Sequence, residues 1–175
     1  IKEESLNNYL SNLVLKEGAL SPSFNKTNEI YTATVPYSKT DAHFIVTLED
    51  ERSTYEILNA DNLIVGENEV TVKVTAQNGD EKGYTVTITR EENDNTYIKE
   101  LQVNGILSST FNKTVEEYGV DVRPDVNRLD LVIELEASTS RYEITGNSLS
   151  AENNPHTVTI RVTSQKGTTR DYVLN

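Results

Sequence analysis

The sequence predicts an all-β protein that consists of two tandem immunoglobulin-like β-sandwich domains. Its apolar residues are mainly Val, Ile and Leu, accompanied by nine Tyr, which favours strands over helices. Short runs of alternating apolar and polar residues are separated by turn-forming residues, and the whole pattern occurs twice. Six or seven short strands per copy are typical of this class of sandwich.

The two halves of the chain align when one is shifted by about 87 residues. Residues 24–27 (FNKT) are identical to residues 111–114, and residues 55–57 (YEI) are identical to residues 142–144. Because the apolar positions of the remaining strands stay in phase under the same shift, each half is predicted to bury its own core.

This repeat sets the predicted domain boundaries. Residues 7–92 are expected to form the first sandwich and residues 93–175 the second. Residues 1–6 resemble the end of the first copy, so they are interpreted as the tail of a preceding repeat or as a linker. The second copy ends at Asn175, which aligns with Thr87 of the first.

Alternation of apolar and polar residues locates the strands of the first copy. The predicted strands are residues 10–15, 30–35, 44–48, 55–58, 70–76 and 84–88. Asn78-Gly79, between the last two strands, predicts a tight hairpin turn with positive φ at both residues. Lys166-Gly167 stands there in the second copy, which predicts a turn of a different or longer type.

Composition excludes several classes of function. The chain has 28 acidic and 16 basic residues, a net charge of -12, and this acidity argues against a nucleic-acid partner. With no Cys, it has no disulfide, thiolate nucleophile or Cys-type zinc site. No apolar run approaches the roughly 18 residues that span a bilayer, so we expect no membrane insertion by these residues.

Four segments of the first copy carry a family resemblance: residues 10–13 (LSNL), 20–24 (LSPSF), 31–36 (YTATVP) and 66–72 (GENEVTV). They resemble the bacterial cadherin-like β-sandwich repeat. The second copy departs from this pattern at residues 109–110 and 154–156. The resemblance implies a structural, spacer or accessory module of a secreted or cell-wall-attached bacterial protein, beside neighbouring domains of the same chain, with no shared catalytic residues.

No catalytic or cofactor-binding residue is predicted, and the chain is predicted not to be an enzyme. His43 and His156 occupy non-equivalent positions in the two copies and are expected at the surface or at a sheet edge. The acidic runs at residues 49–51 and 116–117 are expected in exposed loops. The sequence contains no Gly-x-Ser-x-Gly elbow.

Calcium is the one cofactor for which the sequence offers candidates. Residues 91–95 (EENDN) resemble the calcium-binding linker of true cadherins, and the candidate ligands are Glu91, Asn93, Asp94 and Asn95. Calcium takes six to eight oxygen ligands, of which this segment would supply three or four. Since the other cadherin calcium motifs are absent from the sequence, a plain polar linker without metal is the alternative.

Two further sets of residues allow a binding or a structural interpretation. Asn25 and Asn112 each begin an Asn-Lys-Thr glycosylation sequon, or else fix a turn after a buried Phe. Tyr37 and Tyr97 are candidates for stacking on a sugar. The tyrosines predicted to face inward are Tyr31, Tyr84, Tyr118 and Tyr172. The sequence therefore favours a structural spacer, with a binding module for a glycan, a protein partner or calcium as the alternative.

Overall fold

The computed structural model describes residues 3–107, 111–150, 152 and 155–175. Residues 109, 110 and 154, at which the second copy departs from the family pattern, lie outside these ranges. Regular secondary structure in the described residues is almost entirely β-strand, and none of them forms a helix long and apolar enough to cross a bilayer. The chain divides into two compact units, of which unit 1 ends at Glu92 and unit 2 begins at Asn93.

Unit 1 contains six strands in two sheets. They are β1 (Leu10–Leu15), β2 (Ile30–Val35), β3 (Phe44–Leu48), β4 (Thr54–Leu58), β5 (Gly66–Thr75) and β6 (Glu81–Arg90). The small sheet pairs β1 with β3, and the large sheet has the order β2-β6-β5-β4. Although β6 is the last strand in sequence, it lies inside the large sheet, antiparallel to β5 and parallel to β2.

Unit 2 repeats this arrangement, with seven strands among its described residues. They are β7 (Ile98–Val103), β8 (Ile106–Leu107), β9 (Glu117–Tyr118), β10 (Leu131–Leu135), β11 (Arg141–Thr145), β12 (Val158–Thr163) and β13 (Thr169–Leu174). The sheet orders are β10-β7-β8 and β11-β12-β13-β9, with β9 parallel to β13. The predicted all-β class, with two sandwich-like units, is confirmed.

Each unit has its own hydrophobic core, built by the period-2 alternation of its strands. In β5, Val70, Val72 and Val74 are fully buried, while Thr71 and Lys73 on the opposite face are half-exposed. Burial of such an aliphatic side chain stabilises the fold by about 1.5–3 kcal/mol. Among the described residues of unit 2, the buried hydrophobic cluster consists of Ile98, Leu101, Leu129, Val158, Ile160, Val162, Tyr172 and Leu174.

The hairpin turns between the last two strands differ from the prediction. Only Gly79 has positive φ (93°), so Asn78 does not adopt the conformation expected of it. The amide of Gly79 donates a hydrogen bond to the carbonyl of Ala76. Residues 76–79 therefore form a β-turn, and Gly79 at its end lies in the left-handed region. Gly167, with φ 95°, makes the same bond to Ser164. The prediction of a different turn in the second copy is therefore wrong, because the glycine alone carries the required conformation.

Candidate functional sites

The amide oxygens of the candidate calcium segment already hold its own backbone. Asn93 Oδ1 accepts a hydrogen bond from the amide of Asn95 at 3.0 Å, and Asn95 Oδ1 accepts one from the amide of Tyr97 at 2.8 Å. These are successive Asx turns, in which the side chain replaces a backbone acceptor. Both asparagines are half-buried and belong to unit 2, whereas Glu91 belongs to unit 1, where its amide donates to the carbonyl of Val35.

Asp94 points to the last hairpin of unit 2. Its Oδ1 lies 3.2 Å from the hydroxyl of Ser164. Hydrogen bonds from Thr168 and Ser164 hold the pKa of Asp94 below its usual range. The backbone of the segment is tied to the same hairpin, because the carbonyl of Asn93 accepts the amide of Lys166 at 3.1 Å.

The equivalent segment of unit 1 has the same local structure without an Asp. Asn7 Oδ1 accepts the amide of Tyr9 at 2.9 Å, and the carbonyl of Ser5 accepts the amide of Asn78 at 3.2 Å. The turn geometry of the boundary segment therefore serves to attach the first strand of each unit to the last hairpin. In the described part of the chain, no three Asp, Glu or His side chains converge in a way that would hold a metal ion. The calcium site stays a prediction.

A buried tyrosine joins three parts of each sandwich. In unit 1, the hydroxyl of Tyr84 on β6 accepts the amide of Leu10 at 3.1 Å and donates to the carbonyl of Lys26 at 2.8 Å. In unit 2, the hydroxyl of Tyr172 accepts the amide of Ile98 and donates to the carbonyl of Lys113 at 2.7 Å. Burial raises the pKa of both phenols. We call each set of three residues a tyrosine clasp.

The repeated FNKT segments form the turns to which the clasps bind. Asn25 Oδ1 accepts both the amide and the hydroxyl of Thr27, at 3.0 and 2.8 Å. Asn112 and Thr114 make the same pair of bonds at the same distances. The predicted turn at this motif is thus confirmed, and the glycosylation interpretation stays a prediction.

The aromatic residues beside these turns follow the predicted pattern in part. Tyr31, Tyr84 and Tyr172 are buried as expected, but Tyr118 is half-buried. The Phe of the motif is also half-buried, not buried as predicted, because Phe24 lies at the edge of the core. Its ring centroid is 6.1 Å from those of Tyr31 and Tyr84, and Phe111 packs against Tyr118 and Tyr172 in the same way.

Tyr97, a candidate for sugar stacking, lies under two cations. The guanidinium of Arg170 is 4.5 Å from its ring centroid and the ammonium of Lys113 is 5.1 Å away. Lys113 also forms an ion pair with Glu136 at 2.7 Å. Unit 1 repeats the cluster around Tyr9, with Lys82 at 4.8 Å and Lys26 at 5.7 Å.

These clusters were not predicted from the sequence. Their residues do recur at the repeat spacing, but they are brought together by segments that are far apart in sequence. Tyr37, the other sugar candidate, is half-buried and lies beneath the guanidinium of Arg90, 4.7 Å from its centroid. Tyr55 and Tyr142 are about half exposed, and their exposure was not predicted from the sequence.

The histidines and the acidic runs lie in separate places. His43 is exposed and its Nδ1 is 2.7 Å from Glu17 Oε1, while His156 is half-buried with Nε2 2.8 Å from the backbone of Ser150. Glu49 and Glu51 are exposed as predicted. Asp50 is half-buried, because it bonds Arg52 and Ser5, which lower its pKa. Glu117 is exposed but belongs to strand β9, not to a loop.

Comparison with known proteins identifies the first unit. A family model described as cadherin-like beta sandwich domain matches residues 10–91. This match runs from the first residue of β1 to the residue after β6, so it covers all six strands of unit 1. No curated protein matches the chain. Domains of this family are typically non-catalytic structural or adhesion-type modules. Residues 10–91 therefore match the cadherin-like β-sandwich family, and unit 2 repeats their architecture.

Proposed function

We propose that the two units form a non-catalytic structural spacer or accessory segment of a secreted or cell-surface bacterial protein. One observation carries the proposal: two sets of side chains that recur in both units bond the backbone of their own unit. The tyrosine clasp and the FNKT turn recur with matching distances. The cation cluster also recurs, around Tyr9 and Tyr97. A repeated binding site would instead preserve a solvent-facing set of side chains, and of the recurrent aromatic residues Tyr55 and Tyr142 are about half exposed.

The proposed segment works without a cofactor, nucleic acid or membrane insertion of its own, and its partners are neighbouring domains of the same chain. The net charge of -12 keeps a repetitive surface soluble and repels other polyanions, which supports a segment without a nucleic-acid partner. Recurrent ion pairs between exposed side chains contribute little to stability individually, so stability depends on the two cores and their clasps.

Calorimetric titration of the chain with calcium, followed by a glycan array, tests the proposal. We expect no heat of binding with calcium up to millimolar concentration, no calcium-dependent change in melting temperature and no binding to the glycan array. Calcium binding at millimolar concentration or tighter would instead establish the binding alternative at Glu91, Asn93, Asp94 and Asn95. The matched variants are Asp94→Asn, which removes a ligand of that site, and Asp130→Asn, which removes a carboxylate elsewhere in unit 2.

A further inference from the structure

The tip of the last hairpin differs between the two units in sequence but not in backbone geometry. Gly79 and Gly167 have φ of 93° and 95°, and the amide of each donates to the carbonyl three residues earlier. The residue before the glycine is Asn78 in unit 1 and Lys166 in unit 2. The side-chain amide of an asparagine can react with the backbone nitrogen of a following glycine, whereas a lysine side chain at that position cannot.

Asp80 bonds both polar atoms of the Asn78 side chain. Asn78 Oδ1 accepts the backbone amide of Asp80 at 3.1 Å, and Asn78 Nδ2 donates to Asp80 Oδ2 at 2.6 Å. Asn78 itself is half-buried, but residues 77, 79 and 80 are exposed, so water reaches the turn. An N–H donor and a carboxylate therefore flank one side-chain amide at the hairpin tip.

We propose that Asn78 is a site of spontaneous deamidation and that Asp80 promotes the reaction. The backbone nitrogen of Gly79 gives its proton to hydroxide and bonds to Cγ of Asn78. The bond from Cγ to Nδ2 then breaks, and Nδ2 takes a proton from water and leaves as ammonia. The resulting succinimide ring adds one water molecule and opens to Asp or to isoaspartate. This modification goes beyond the spacer function and does not depend on it.

Asp80 contacts the two atoms of Asn78 on which charge develops. Negative charge grows on Oδ1, to which the amide of Asp80 donates, and positive charge grows on the protonated leaving nitrogen, beside the carboxylate of Asp80. Both contacts are stronger in the intermediate than in the starting amide, which is the condition for catalysis. Gly79 must release its 2.9 Å bond to the carbonyl of Ala76 before it attacks, and a glycine has the conformational freedom to do so.

The other Asn-Gly pair of the sequence, Asn104-Gly105, is held differently. Asn104 Oδ1 accepts the amide of Asp130 at 3.0 Å, and the amide of Asn104 donates to the carbonyl of Asp130 at 2.7 Å. Among the contacts of the described residues, no carboxylate bonds the Nδ2 of Asn104. This asparagine has a donor for its oxygen but no anion beside its leaving nitrogen, so it should react more slowly than Asn78.

Deamidation at residue 78 should loosen the start of unit 1. The amide of Asn78 donates to the carbonyl of Ser5 at 3.2 Å, as the amide of Lys166 donates to the carbonyl of Asn93 at 3.1 Å in unit 2. Either product places a second carboxylate beside Asp80, and like charges in contact repel. Isoaspartate also lengthens the backbone by a methylene group. The contact of Ser5 should therefore weaken, while that of Asn93 stays as it is.

Incubation of the folded chain at mildly alkaline pH, followed by proteolysis and mass spectrometry of the peptides, tests the proposal. We expect Asn78 to convert at least about threefold faster than Asn104. Asp80→Asn keeps the side-chain shape and the backbone donor but removes the charge, and it should slow the conversion of Asn78 at least about threefold. The matched control is Asp61→Asn, which removes an exposed carboxylate elsewhere in unit 1 and should leave the rate unchanged.

The direction of the change in Asp80→Asn separates catalysis from a structural role. If Asp80 only held the turn, its replacement would loosen the hairpin and raise the rate at Asn78. An equal or faster rate in that variant, or equal conversion of Asn78 and Asn104 in the folded chain, would overturn the proposal. The same holds for a preference for Asn78 that persists undiminished in urea, because the local sequence would then explain it.

NMR of the converted chain supplies a second readout. The amide signal of Ser5 should shift on conversion, while that of Asn93 should stay in place. An unshifted Ser5 signal would overturn the expected effect on the start of unit 1.

Discussion

Tyr84 lies 58 residues after Lys26 in sequence, yet its hydroxyl donates a 2.8 Å hydrogen bond to the carbonyl of that residue. The same hydroxyl accepts the amide of Leu10, so a single side chain satisfies two backbone groups from different parts of the chain. A buried backbone group that loses its partner is costly, which makes this clasp a sensitive point of the fold.

Removal of the clasp hydroxyl should destabilise either unit. Tyr84→Phe and Tyr172→Phe should each lower the free energy of unfolding by about 1–3 kcal/mol, because each leaves a buried donor and an acceptor unsatisfied. Urea denaturation followed by circular dichroism measures the change. Tyr55→Phe, the same substitution at a half-exposed ring, should change it by less than about 0.5 kcal/mol, and a comparable loss in that control would remove the clasp as the explanation.

The side-chain oxygen of Asn112 should contribute more to the stability of unit 2 than its side-chain nitrogen does. Asn112→Ala removes the acceptor for both groups of Thr114 and should destabilise unit 2 by about 1 kcal/mol, whereas Asn112→Asp keeps an oxygen in place and should recover most of the loss. Thermal unfolding of both variants distinguishes them. Equal destabilisation by Asn112→Ala and Asn112→Asp would show that the Asx turn is not the reason for the contribution of Asn112 to stability.

Gly146 should not tolerate a side chain. A Cβ at this position would lie 2.3 Å from the carbonyl oxygen of Thr157, and its φ is 74°. Gly146→Ala should therefore destabilise unit 2 by about 2 kcal/mol or more. Gly119→Ala, in the same unit, introduces a Cβ that meets no atom within 4 Å and serves as the control, with an expected change within about 0.5 kcal/mol.

The ion pair between Glu136 and Lys113 should make the stability of unit 2 fall in acid. The hydrogen bond from Lys113 lowers the pKa of Glu136 below its ordinary value of 4.5. A carboxylate with a lowered folded-state pKa contributes stability above the unfolded-state pKa and loses it as pH falls through the folded-state value. The contribution is thus present at pH 7, begins to fall near pH 4.5, and is lost only below the folded-state pKa of Glu136.

Titration of the Glu136 carboxyl by NMR checks this assignment. In Lys113→Met the pKa of Glu136 should rise towards 4.5. The exposed ion pair between Lys99 and Glu134, on another part of unit 2, provides the control, because Lys99→Met should leave Glu136 unaffected. An unchanged pKa of Glu136 in Lys113→Met would show that the pair does not persist in solution.

Local alternation predicted the positions of the six strands of unit 1 but not all of their ends. The predicted ends of β1, β2 and β3 agree with the structure, and in β2 and β3 inward residues alternate with exposed ones. In contrast, β5 begins at Gly66 and β6 extends from Glu81 to Arg90, so both are longer than predicted. The prediction for the hairpin turn failed, since Asn78-Gly79 is compatible with more than one turn and only the register between Thr75 and Glu81 selects among them.

Long-range contacts account for what the sequence did not reveal about the candidate sites. The sequence predicts Tyr97 as a candidate for stacking on a sugar, yet Arg170 reaches it from the last strand of the unit. The sequence also predicts Asn93 and Asn95 as calcium ligands, but alternation and composition carry no information on the bonds of these side chains to backbone amides.

The position of β6 inside its sheet constrains the order in which a growing chain can fold. Its parallel neighbour β2 ends at Val35 and is complete long before Arg90 has been synthesised, but it cannot pair within the large sheet until β6 is available. The antiparallel neighbour β5 can pair with β4 earlier. Unit 1 should therefore remain open on the ribosome until its last residues have left the exit tunnel, and then close in a single late step that joins distant segments.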